Sequence, residues 1–154
     1  MTNPPESLTD SSVNTVPGMA LENPQPVNFG FDGLYGLEMT EMGDGEMAGY
    51  VTVRDELKQP AGLVHGGVYA AIAESLASMG TWKAVEADGR VALGLSNLTS
   101  FLRPITAGKI HARAKAQHRG RTTWVWEVEC SDDDGRVCVL SRVTVAVREM
   151  PASG

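Results

Sequence analysis

The chain has 154 residues, 42% of them hydrophobic and 21% charged, with 19 acidic against 13 basic side chains and a formal charge of −6. A chain of this length suits one domain that buries roughly 70% of its unfolded surface, and its composition is that of a globular protein rather than a disordered or fibrous one. The acidic total argues against nucleic acid. No apolar run approaches the ~18 residues that cross a bilayer, and the first residues lack the pattern of a targeting peptide. A cytoplasmic protein with no nucleic-acid or membrane partner is the expectation.

The charge is unevenly distributed. Residues 1–53 carry eight acids and no Lys or Arg, whereas 54–154 hold all 13 bases against 11 acids. Arg103, Lys109, Arg113, Lys115, Arg119 and Arg121 lie in a segment with no acid between them. Such a run is either a solvated strand face or a contact surface for a small polyanion. Cys130 and Cys138 are too few for a disulfide scaffold and wrongly spaced for a metal site, so two buried free thiols on neighbouring strands, and no metal, are expected.

In chain order, residues 1–28 are rich in Pro, Asn, Ser and Thr and read as an extended arm, leaving 29–150 as the single domain. Leu34–Glu41 and Glu46–Val53 flank the turn-forming Met42-Gly43-Asp44-Gly45 and read as a hairpin. Arg54–Val64 is a loop. Gly66 to about Val85 lacks strand alternation and reads as a helix that is apolar nearly all round and rich in Ala and Ser, so it must be enclosed. Glu86-Ala87-Asp88-Gly89 ends it. Val91–Phe101 is apolar on both faces, as a central strand would be. Lys109–Gln117 alternates, with Ile110, Ala112, Ala114 and Ala116 on one face; Thr122–Ser131 places Trp124, Trp126, Val128 and Cys130 on one face. Asp132-Asp133-Asp134-Gly135 turns the chain into a last strand, Val137–Arg148. The expected fold class is α+β, one long helix wrapped by a curved antiparallel sheet of five or six strands.

Gly62-Leu63-Val64-His65-Gly66-Gly67, followed after six residues by Glu74, resembles the motif of the hotdog-fold acyl-CoA thioesterases. Ser96-Asn97-Leu98-Thr99-Ser100-Phe101-Leu102-Arg103-Pro104 and Thr122-Thr123-Trp124 are similar to later motifs of the same family. The resemblance spans about residues 30–148 and is closest to the 4-hydroxybenzoyl-CoA thioesterases that use a glutamate. It implies an acyl-CoA substrate, with coenzyme A entering as part of that substrate and no separate cofactor. It also implies a homo-oligomer, a dimer of dimers, with active sites at the dimer interface. Glu74 matches the catalytic carboxylate, acting as nucleophile or general base, and Gln59 matches a contact to the thioester carbonyl. Arg103 and Thr122 match nucleotide-phosphate contacts, with Thr123 and Asn97 in the same motifs. Arg121, Thr123 and Asn97 are expected as further coenzyme-A contacts, although Arg121 stands where relatives have a small hydroxyl residue, and Met150-Pro151 replaces a basic residue expected after the last strand.

Physical chemistry supports these assignments independently. The free N–H groups and positive dipole end at a helix N-terminus, here Gly66-Gly67, suit the developing oxyanion of a thioester. A glutamate inside an apolar helix is costly unless it is paired or functional. Glu74 lies eight residues beyond Gly66, about 12 Å along the helix axis, so one helix cannot easily place both groups on one carbon. Two antiparallel helices related by a two-fold axis can. Ser78 shares the face of Glu74 at i+4, to hold water or to orient the carboxylate. His65 is expected to position the loop and cap the helix, since no Ser or Cys nucleophile adjoins it. Two other readings keep part of this logic: a hotdog enoyl-CoA hydratase or dehydratase, and a non-catalytic acyl-CoA-binding module.

Overall fold

The computed structural model describes residues 20–150. Most of the expected arm, residues 1–19, lies outside them. The elements are β1 (Ala20–Pro26), α1 (Gly30–Tyr35), β2 (Leu37–Met42), β3 (Glu46–Thr52), α2 (Gly66–Val85), β4 (Arg90–Phe101), β5 (Lys109–Arg119), β6 (Thr123–Ser131) and β7 (Val137–Glu149). They form one antiparallel sheet in the order β1-β2-β3-β5-β6-β7-β4, against which α2 packs.

The sheet has seven strands, not five or six. The extra strand comes from the stretch expected to be arm: Gln25 and Pro26 of β1 pair with Met39 and Glu38 of β2. Pro24 and Pro26 are tolerated because an edge strand bonds on one side only. The hairpin also starts later than expected. Leu34 and Tyr35 close the short helix α1, which stops at Gly36 in the left-handed conformation (φ 79°). Arg54 donates to the carbonyl oxygens of Leu34 and Tyr35 and so ties this corner to the end of β3.

Strand β4 corrects a second expectation. It is apolar on both faces, yet it is the terminal strand of the sheet rather than a central one, and Leu93, Leu95 and Leu98 are exposed. The apolar-on-both-faces pattern is the mark of a strand covered on both sides, and one chain supplies only one cover.

The alternation in β5 and β6 is as expected. Ile110, Ala112 and Ala114 of β5 are buried, as are Trp124, Trp126, Val128 and Cys130 of β6, with charged neighbours facing out. The fully buried Trp126 sets the depth at which α2 sits. Its indole N–H donates to Thr81 Oγ1 (2.9 Å), and the Thr81 hydroxyl donates to the Ala77 carbonyl (2.8 Å), so neither of these polar groups is stranded. Beside it, a Cβ on Gly80 would lie 2.6 Å from the indole ring. The helix touches the sheet through the smallest residue available at its closest point. Cys130 and Cys138 are both buried free thiols on adjacent strands.

Two outcomes are expected. Thr81→Val, which keeps the shape but leaves the Trp126 N–H unpaired, lowers the unfolding free energy by about 2 kcal/mol, measured by urea denaturation. Burial pushes the Cys130 thiol up to about 12 and raises Cys138 as well, so both stay protonated, and Ellman's reagent at pH 8 finds no reactive thiol until the protein is unfolded.

Candidate active site

Helix α2 begins where the sequence predicts. His65 is its N-cap, with the ring Nδ1 accepting the Gly67 N–H at 2.9 Å. The Gly66 N–H has no partner among the described residues, as expected of the first amide of a helix. Gly66 lines a groove of about 480 Å³ together with Gln59, Tyr69, Phe101 and Arg103. A side chain at Gly66 would run into the Phe101 ring, 2.8 Å from where its Cβ would stand. The glycine therefore admits an aromatic lid from β4, a requirement additional to backbone access. Gln59 accepts the Ala61 N–H through Oε1 (2.9 Å), which fixes its carboxamide and leaves the NH₂ as a donor on the groove.

Two turns further on, Glu74 is half-buried. Ser78 Oγ lies 3.5 Å from its Oε1, and Asn97 Nδ2 donates to its Oε2 at 3.2 Å. The same Asn97 NH₂ donates to the Ala70 carbonyl (2.9 Å), and Asn97 Oδ1 accepts from Thr99, so the amide orientation is determined from both ends. Asn97, expected among the coenzyme-A contacts, thus sits as a holder of the carboxylate. Gly94 completes the seat. A Cβ there would stand 1.9 Å from Glu74 Oε1, and the β4–β7 register slips between Gly94 and Ser96, bringing Asn97 round to the helix. Gly94 is a site residue that the sequence reading missed; its only signal is a glycine within a strand otherwise rich in large apolar residues.

Of the two readings of the basic segment, a strand face neutralised by its neighbours accounts for half of it. Arg113 pairs with Glu41 (3.6 Å), Lys115 with Glu46 (3.5 Å) and Arg119 with Asp44 (2.5 Å), while Lys109 stacks on Tyr50. The acids of the β2–β3 hairpin neutralise the strand beside them. Arg103 and Arg121 have no acidic partner among the described residues. Arg103 stands at the groove beside Gln59 and Gly66. Arg121 and Thr122 line a separate hollow of about 450 Å³ with Arg90, Val147, Arg148 and Glu149. Thr123 is half-buried in β6, its backbone paired with Ala146. Arg90 and Arg148 are held there by the carbonyl oxygens of Arg121 and Thr122 respectively. These two arginines were also missed, because they lie at the ends of strands far apart in sequence. Arg148 has no acidic partner among the described residues, whereas Arg90 is paired with Asp88 (3.1 Å).

A single helix in the hollow of a curved sheet, with a glycine N-terminus on a groove and a seated carboxylate, defines the hotdog class of thioester hydrolases. The sequence profile of the Thioesterase superfamily matches residues 61–139. A 1,4-dihydroxy-2-naphthoyl-CoA hydrolase of Listeria monocytogenes is 34% identical over 114 residues, 74% of this chain and 92% of that protein. The proofreading thioesterase EntH of Cronobacter turicensis is 35% identical over 112 residues, 73% and 81% of the two chains. A mutant crystal structure of the Pseudomonas aeruginosa thioesterase PA1618 superposes with a TM-score of 0.73 at 34% identity, covering 76% of this chain and 84% of that one. The chain belongs to the Thioesterase superfamily and is a thioester hydrolase.

His65→Ala removes the helix cap and is expected to lower thermal stability by about 1 kcal/mol, read from the unfolding midpoint; an unchanged midpoint would deny the cap its role.

Proposed function

We propose that the protein hydrolyses an acyl-CoA with an aromatic acyl group, 4-hydroxybenzoyl-like, giving the carboxylic acid and free coenzyme A, at sites shared between two copies of the chain. The observation that carries this reading is the joint presence on α2 of the Gly66 N–H facing a groove and of Glu74 held by Asn97 and Ser78. Gly66 and the Gln59 carboxamide donate to the thioester oxygen as negative charge develops on it. Glu74 supplies the attack on the carbonyl carbon, directly or through a water that it deprotonates. The C–S bond then breaks, and the coenzyme A thiolate leaves and takes up a proton. The name of the Listeria relative supports an aromatic acyl group.

The sharing of sites follows from distance. About 12 Å of helix axis separates Gly66 from Glu74, so the carbonyl held by one copy meets the carboxylate of another, antiparallel copy. The free edge of β4, its exposed Leu93, Leu95 and Leu98, and the small outward residues Gly67, Ala71 and Ser78 of α2 form the face such a copy covers. By the same reading the hollow of Arg90, Arg121, Thr122 and Arg148 takes the anionic phosphates of the nucleotide, with Arg103 of the other copy nearby. Gly94 lies four positions along β4 from Arg90, roughly 13 Å, a span that extended pantetheine covers.

Glu74→Ala is expected to lower turnover of aroyl-CoA at least about 100-fold with coenzyme A affinity retained, followed by thiol release and calorimetry. Absence of thiol release from every acyl-CoA with the wild type would instead leave a binding module. Single turnover in oxygen-18 water with excess enzyme separates the two roles of Glu74, since label entering the glutamate marks an acyl-enzyme anhydride. Co-expressing Glu74→Ala with Gly66→Ala restores up to about a quarter of the activity if sites are shared and none if each chain is self-sufficient. Gly94→Ala displaces the carboxylate and lowers turnover by about tenfold or more while the thermal midpoint stays near that of the wild type.

A further inference from the structure

We propose that Tyr69 reads an oxygen on the acyl group, so that the preferred substrates are aroyl thioesters bearing a hydroxyl or other hydrogen-bond acceptor. This rests on the hydrolase reading above and adds a specificity residue to it.

Tyr69 follows Gly66 by three residues, one turn along α2, and lines the same groove as Gln59, Gly66 and Phe101. The side chain is 3% exposed, and its hydroxyl is the one buried side-chain polar atom without a hydrogen-bond partner among the described residues. Other buried hydroxyls in this fold are matched: Thr81 with Ala77 and Trp126, and Ser141 with Thr99. Burial pushes the phenol up to about 12, so it remains an O–H donor at neutral pH. The Ile105 backbone, adjacent to Pro104 of the groove wall, opposes that rise as a donor to the phenol oxygen does, without forming a hydrogen bond of ordinary geometry. The hydroxyl's own proton is therefore left without an acceptor.

A buried donor without an acceptor destabilises a fold, and a phenylalanine of the same shape would avoid the cost. A ligand oxygen that meets the donor recovers it. The groove brings such an oxygen close: the Gly66 amide and Gln59 fix the thioester carbonyl at one place, and Tyr69 stands one helical turn away, within the reach of a substituted ring. Phe101, with its ring centroid 6.2 Å from that of Tyr69, offers an aromatic wall beside it. A site that presents an unpaired donor in an apolar setting discriminates against the analogue lacking the matching oxygen far more than an apolar pocket does.

The test compares benzoyl-CoA with 2- and 4-hydroxybenzoyl-CoA in the wild type and in Tyr69→Phe. The wild type is expected to favour at least one hydroxylated ester by about tenfold or more in kcat/KM, and that ratio collapses towards one in the variant. A ratio that is absent in the wild type, or that persists in Tyr69→Phe, overturns the proposal. Equilibrium binding of phenacyl-CoA and its hydroxylated counterparts, thioethers that are not hydrolysed, reads the same preference without turnover. A Tyr69-dependent preference in binding with no hydrolysis of any ester would sink the hydrolase reading alone. Hydrolysis without that preference would sink the Tyr69 reading alone. The thermal midpoint of Tyr69→Phe is expected at or above the wild-type value; a fall of more than about 3 °C would show that the hydroxyl serves the fold, and would also overturn the proposal.

Discussion

The carboxylate of Glu74 sits halfway along an otherwise apolar helix because the neighbouring strand lacks a side chain at one position. Gly94 leaves the space, the register slip after it brings Asn97 to the helix, and Asn97 bridges the Ala70 carbonyl and the carboxylate. Each element depends on the others. Without the slip, Asn97 would point elsewhere in the pleat, since a one-residue shift reverses every side chain of a strand. Without the glycine, the carboxylate would be expelled from its seat.

The remaining architecture is organised to keep that helix in place. Trp126 and Gly80 determine how closely α2 approaches the sheet, and Thr81 satisfies the only indole donor that this closeness buries. On the outward side the helix carries glycine, alanine and serine, and β4 leaves its backbone edge and several leucines open. These surfaces account for the apolar-all-round helix and for a strand apolar on both faces. In the proposed shared site a second copy covers both.

The distribution of charge has a similarly local explanation. The hairpin acids Glu41, Asp44 and Glu46 face Arg113, Arg119 and Lys115, so the acidic first third of the chain neutralises much of the basic second half. Exposed pairs of this kind contribute little stability. Their effect is to leave Arg103 at the groove and Arg121 and Arg148 at the hollow as cations without an acidic partner among the described residues, while Arg90 of the hollow is paired with Asp88.

The sequence by itself determined the long helix and its first residue, the alternating strands β5 and β6, the buried free thiols, and the constellation of Gln59, His65, Gly66 and Glu74. The helix, its cap and the alternating strands depend on neighbours within a turn or a pleat, which local periodicity and end-capping chemistry record directly; Gln59 is marked only by the resemblance to the thioesterase motifs, and Glu74 by that resemblance and by its cost in an apolar helix. The rest was decided by tertiary structure. A proline-containing stretch became β1 because a sheet edge was available to it, and β4 took the opposite edge, although its composition is that of a central strand. Half of the basic run was neutralised by a hairpin more than sixty residues earlier. Arg90 and Arg148 joined Arg121 only where three strand ends converge, and Gly94 acquired its importance only when Glu74 faced it. Such contacts unite residues that no short-range pattern connects, because packing and charge pairing respond to distance in space and not to separation along the chain.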